Sequence, residues 1–111
     1  MLVVSRHDSE AAEAAAQLSK EYGVRAFSHA ADVREEAAVT RLFETAHSLL
    51  SKVDILVNSA GVNIRRPIRE LRVTEFETVM GINVTGTWLC CRAALRGMRA
   101  QGWGRIINVA S

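Results

Sequence analysis

The feature that most constrains this chain is a regular alternation of short apolar, β-branched runs with longer stretches of helical periodicity. No internal repeat or low-complexity linker interrupts it. Such alternation is the pattern of βαβ units, in which parallel strands are joined by crossover helices. It predicts strands over Leu2–Ser5, Arg25–Ala31, Val53–Asn58 and Arg105–Ala110, and helices from about Ser9 to Tyr22, Glu35 to Ser51 and Thr74 to Ala100. Gly23 stands where the first helix must stop. Val53–Asn58 is short, β-branched and bounded by Ser59, Ala60 and Gly61, as suits a strand buried in a parallel sheet. The expected fold class is α/β, a doubly wound parallel sheet with residues 1–111 forming a single domain.

Length then becomes informative. A sheet of this kind ordinarily takes about 150 residues or more to close, whereas the chain has 111. It therefore reads as part of a domain rather than a whole one.

Charge and composition exclude several partners. Fourteen basic against twelve acidic residues leave a net charge of +2, too little to imply nucleic acid or a membrane surface. The aromatic residues Tyr22, Phe27, Phe43, Phe76, Trp88 and Trp103 are too scattered for a base-stacking platform. No apolar run reaches the ~18 residues of a membrane span, and Arg6, His7 and Asp8 follow Met1–Val4 too soon for a signal-peptide core. Cys90 and Cys91 are adjacent within a helical pattern, which suggests neither a disulfide framework nor metal ligands. A reducing, cytoplasmic setting and no metal are expected.

The third helix carries one anomaly. Thr74 and Glu77 have the spacing of a capping box. Beyond them Phe76, Val79, Met80, Cys90, Ala94 and Met98 share a helical face, with Asn83 in the middle of it. An amide in an apolar stripe needs partners or costs about 1–3 kcal/mol.

In open parallel sheets ligands bind beyond the carboxyl ends of the strands. The residues there are Arg6, Asp32 and Val33, then Asn58, Ser59, Ala60 and Gly61, and finally Ser111. Ala60 and Gly61 are small enough for a ring or sugar to approach the backbone. Each polar residue also has a plainer reading. Asp32, three residues before Glu35, has the spacing of a helix cap; Asn58 suits a strand-end turn, Asn83 a satisfied core amide, Arg6 a solvated helix start and Ser111 a terminal serine.

Four segments in order, Asp32-Val33, Asp54–Gly61, Ile82–Thr87 and Gly104–Ser111, resemble the short-chain dehydrogenase/reductase family across essentially the whole chain. The resemblance implies a Rossmann-like sheet and hydride transfer between a nicotinamide dinucleotide and a small carbonyl or alcohol substrate. It implies that Asn58–Gly61 steady the sheet and lie against the adenosine ribose, although Ser59 replaces the family's second Asn. It assigns Asp32 to the adenine amino group with Val33 beside the ring, Asn83 to a water-bearing proton relay, and Ser111 to the substrate oxygen. Arg6, with no acid until Asp8, favours NADP(H), NAD(H) being the alternative. The stretch Gly61–Pro67 is similar to gluconate 5-dehydrogenases, and Arg65, Arg66, Arg69 and Arg72 suit a basic rim for a sugar acid, or else a solvated surface.

The family's glycine-rich turn and its Tyr-x-x-x-Lys pair have no counterpart here, since Tyr22, Lys20 and Lys52 are wrongly placed. In the family the first strand is central, so the expected sheet is incomplete, lacking that strand and the carboxyl-terminal part. These 111 residues alone are expected to be inactive and poorly folded or aggregation-prone, and the full-length form to be a homo-oligomer. The alternative is a non-catalytic remnant acting through assembly, because in the family the helix that carries Asn83 packs against its counterpart in another subunit.

Overall fold

The structure, a computed structural model, describes residues 1–110. Its elements follow the expected alternation: β1 (Leu2–Ser5), α1 (Asp8–Tyr22), β2 (Phe27–Ala30), α2 (Glu36–Leu50), β3 (Ile55–Asn58), α3 (Val73–Met80), a π-helical segment (Gly81–Gly86), α4 (Thr87–Gln101) and β4 (Arg105–Asn108). Most differences from the sequence reading are one or two residues at element ends.

Local chemistry explains the helix boundaries. The acidic Asp8 and Glu10 occupy the first turn of α1 and Lys20 the last, each complementing the helix dipole. Gly23 then turns left-handed at φ 65° and donates its N–H to the Ser19 carbonyl, ending the helix. Gly102 does the same for α4 at φ 74°.

The strands form two parallel pairs. β1 lies beside β2 with Leu2 opposite Phe27, and β3 beside β4 with Ile55 opposite Arg105 and Asn58 opposite Asn108. Among the described residues no ladder joins β1 to β3, so the sheet is split where a central strand is expected.

Two helices supply the main core. Val39, Leu42 and Phe43 of α2 pack with Leu89, Cys90, Ala94 and Met98 of α4, and Leu56 and Ile106 reach this cluster from β3 and β4. Arg92 of α4 pairs with Glu36 of α2 at 2.7 Å, bracing the two helices at their surface. On α1, Ala11 and Ala15 are buried as the helix packs on β1 and β2, where the small side chain permits close approach.

One expected element is corrected. The helix read as Thr74–Ala100 is interrupted by a π turn, and α3 begins at Val73, so the Thr74–Glu77 capping box does not form. Instead Glu75 accepts the Arg72 backbone N–H at 3.4 Å. The π turn inserts an extra residue and slips the helical phase. Ile82 and Gly86 turn inward, followed at intervals of four by Cys90, Ala94 and Met98, while Phe76, Met80 and Asn83 face solvent. Asn83 is therefore not set in a buried apolar stripe.

Candidate functional site

The segment after β2 is shaped by one carboxylate. Asp32 accepts the Arg34 backbone N–H at 3.0 Å and the Arg34 Nε at 3.0 and 3.1 Å, and its Oδ2 meets Nη2 at 2.6 Å. Asp32 does not cap α2, whose first residue is Glu36 and whose cap position is Glu35. The Arg34 hydrogen bonds hold the Asp32 carboxyl below its ordinary value, with Arg6 adding a smaller push in the same direction. β1 and β2 end side by side, Ser5 opposite Ala30, so Arg6 and Asp32 follow adjacent strand ends.

The π segment receives this turn at both ends. A Cβ on Gly86 would lie 2.5 Å from Val33 Cγ2, and one on Gly81 would lie 3.1 Å from Arg34 Cδ. Only glycine at position 86 lets Val33 seat there without displacing the backbone. The middle of the segment holds a second loop. Asn83 accepts the Val62 N–H at 2.9 Å through Oδ1 and donates Nδ2 to the Val62 carbonyl at 2.9 Å. The amide is thus satisfied by the chain after β3 rather than by a core. Gly61 approaches the same side chain, for its Cβ would stand 3.3 Å from Asn83 Oδ1.

Asn58 closes the arrangement from the other side. Its Nδ2 donates to Asn108 Oδ1 at 2.9 Å across the β3–β4 pair and to Cys91 Sγ on α4 at 3.4 Å. Ala60 lies exposed between Asn58 and Gly61. Burial pushes the neighbouring Cys90 thiol up to about 11, with Cys91 a lesser cause, so Cys90 serves packing rather than nucleophilic chemistry.

The structure thus gathers Arg6, Asp32 and Val33 at the ends of β1 and β2, and Asn58, Ala60, Gly61 and Asn83 beyond β3. Both loops are seated on the π segment. Ser111 lies outside the described residues. The sequence reading missed Arg34, Asn108 and the two glycines of the π segment. Asn108 had a visible signal, since it ends an apolar strand as Asn58 does. Among the described residues no three His, Cys, Asp or Glu side chains gather as a metal site.

The short chain dehydrogenase family model matches residues 1–111. The chain belongs to this family. It is 32% identical over 111 residues to the 3-oxoacyl-acyl-carrier-protein reductase of Aquifex aeolicus, covering 99% of this chain and 45% of that protein. The structure of a Burkholderia cenocepacia gluconate 5-dehydrogenase in complex with NADP and tartrate superposes with a TM-score of 0.89 at 31% identity, covering 99% of this chain and 43% of the other. An NAD+-bound xylitol dehydrogenase gives 0.93 at 32% identity, with 99% and 42% covered. The chain spans less than half the length of each of these short-chain dehydrogenases. Among the described residues no helix is long and apolar enough to cross a membrane.

Proposed function

We propose that the protein carrying this chain is an NADP(H)-dependent oxidoreductase that interconverts a small alcohol and its carbonyl compound. The observation that carries this reading is the seating of both strand-end loops on one π segment at the carboxyl ends of the strands, where such folds take their dinucleotides. The residues present suit the adenosine half of the cofactor. Asp32 is an ionised acceptor for an amino group, Arg6 at the adjacent strand end is a cation for a 2′-phosphate, and Ala60 and Gly61 leave the backbone open to a ribose.

The bound nicotinamide would supply the hydride acceptor or donor. In this reading the chain's own residues do the positioning. Val33 lies along the adenine, and Asn58 fixes the end of β3 by its bond to Asn108. Asn83 holds the Val62 backbone, so the loop that follows Gly61 keeps its place beside the reacting groups, and Asn83 is also the proposed anchor of a proton-relay water. Ser111 is proposed to hydrogen-bond the substrate oxygen.

Cofactor choice is tested with Arg6→Asp in the intact protein, by titrating NADPH and NADH fluorescence. Loss of a charge-assisted contact weakens NADPH binding by about tenfold or more and leaves NADH little changed. Tighter binding of NADH by the unaltered protein, or an Arg6→Asp variant with unchanged NADPH affinity, refutes the assignment.

A sugar acid is the proposed substrate class. Of the four arginines after β3, Arg66 pairs with Glu75 at 2.6 Å, Arg72 with Glu75 at 3.9 Å and Arg69 with Glu70 at 3.9 Å. Arg65 makes no ion pair among the described residues, leaving its guanidinium available to a carboxylate. Turnover of a keto-gluconate that is insensitive to Arg65→Ala removes this proposal. Self-association is proposed through the outer side of α4, where Trp88 and Leu95 are exposed.

A further inference from the structure

Arg34 belongs to no motif in the sequence, yet it makes the densest set of polar contacts in the described residues. Three of its N–H groups, one from the backbone and two from the guanidinium, converge on the Asp32 carboxylate. Its aliphatic stem runs past Gly81, where a Cβ would come within 3.1 Å of Cδ and 3.4 Å of Cγ. The stem is therefore held by the π segment while the head holds the carboxylate. An ionised carboxylate has about four acceptor sites. Backbone N and Nε meet Oδ1 while Nε and Nη2 meet Oδ2, so both oxygens are held, and the one Nε–H is shared between them.

We infer that Arg34 is a positioning residue that fixes the Asp32 carboxylate in one orientation, the one in which it receives the amino group of the cofactor's adenine. The inference rests on the proposed contact between Asp32 and adenine and adds to it the group that aims the carboxylate. Without Arg34 the Asp32 side chain turns freely, and the preference for an amino donor is diluted among its rotamers. Lys cannot replace it, because an ammonium lacks the planar fork that meets two carboxylate oxygens at once.

The experiment compares, in the intact protein, binding of NADPH with that of its hypoxanthine analogue, in which a carbonyl replaces the adenine amino group. The unaltered protein is expected to prefer the adenine form by about tenfold, the scale of one charge-assisted hydrogen bond. Arg34→Ala and Arg34→Lys are each expected to reduce that preference to about twofold, the larger change being a weaker grip on the adenine form. A role confined to folding would weaken both cofactors equally and keep the ratio. A retained tenfold ratio in Arg34→Ala overturns the role of Arg34 while leaving Asp32 in place. No preference in the unaltered protein overturns the Asp32 contact and the inference with it.

Discussion

The carboxyl ends of the strands and the outer flank of the β3–β4 pair differ sharply in how completely this chain furnishes them. At the strand ends Asp32 is matched to Arg34, Asn83 to the Val62 backbone and Asn58 to Asn108. On the flank, by contrast, Ile55, Val57, Ile107 and Val109 stand 54%, 53%, 44% and 62% exposed. Their strand neighbours Leu56 and Ile106 point the other way and join the core under α2 and α4. The alternation that buries one row therefore presents the other to solvent. The loops that form the candidate site are organised by contacts within these 111 residues, whereas an apolar cover for the flank is not among those contacts. Site geometry and sheet burial can therefore be tested separately in this chain.

The largest expected effect strikes the strand ends. Gly86→Leu would place a branched side chain where Val33 now lies, 2.5 Å from the new Cβ. Overpacking of this kind costs about 3 kcal/mol, measured as a fall in the denaturation midpoint of the intact protein, and the displaced Val33 loop weakens cofactor binding as well. Gly81→Ala is the contrasting variant, because its Cβ meets only the flexible stem of Arg34, and it should cost less than about 1 kcal/mol. Equal costs at the two positions would mean that the π segment is not shaped by the Val33 contact.

The next effect separates the two rows of the β3–β4 pair within the 111-residue chain itself. Leu56→Ala removes part of the core, a change that costs about 2 kcal/mol where that core is packed. Val57→Thr with Ile107→Thr removes only exposed apolar surface and changes stability by about 0.5 kcal/mol or less. Emission of a dye that binds apolar surface reads the same contrast in a loosely folded chain. It should fall in the double variant and rise in Leu56→Ala. If the two responses were alike, the difference between the rows would be lost, and the chain in solution would not hold the inward and outward faces apart.

What the sequence made legible, and what it did not, follows the range of the interactions. Strands and helices were readable because hydrophobic periodicity is local, and the strand-end residues because a parallel sheet sends its ligands to one edge. The π turn was not readable from periodicity, since its phase slip is set against Val33 and Arg34, some fifty residues away in the chain. The run Ile82-Asn83-Val84-Thr85 between two glycines was the available hint, being poor in strong helix formers. Asn83 was singled out for a reason that the structure replaces, for its partner is the Val62 backbone and its surroundings are solvent. Arg34 was invisible because a side chain reaching two residues back to a carboxylate leaves no spacing pattern.

The smallest effect is a pH dependence confined to the strand ends. In the folded chain Arg34 holds the Asp32 carboxyl below its ordinary value of 3.8. A depressed carboxylate stabilises the fold fully above its unfolded value and loses that contribution as pH falls through the lower folded value. The cost of Arg34→Ala, found from urea midpoints of the intact protein, should therefore be constant at neutral and mildly acidic pH and shrink below pH 3.8. Val57→Thr, which touches no titrating group, should show no such change. A cost for Arg34→Ala that persisted undiminished into strong acid would mean that the arginine acts through its stem on Gly81 rather than through its charge on Asp32. The contact that orders the strand ends would then be of the same apolar kind as the packing beneath the sheet.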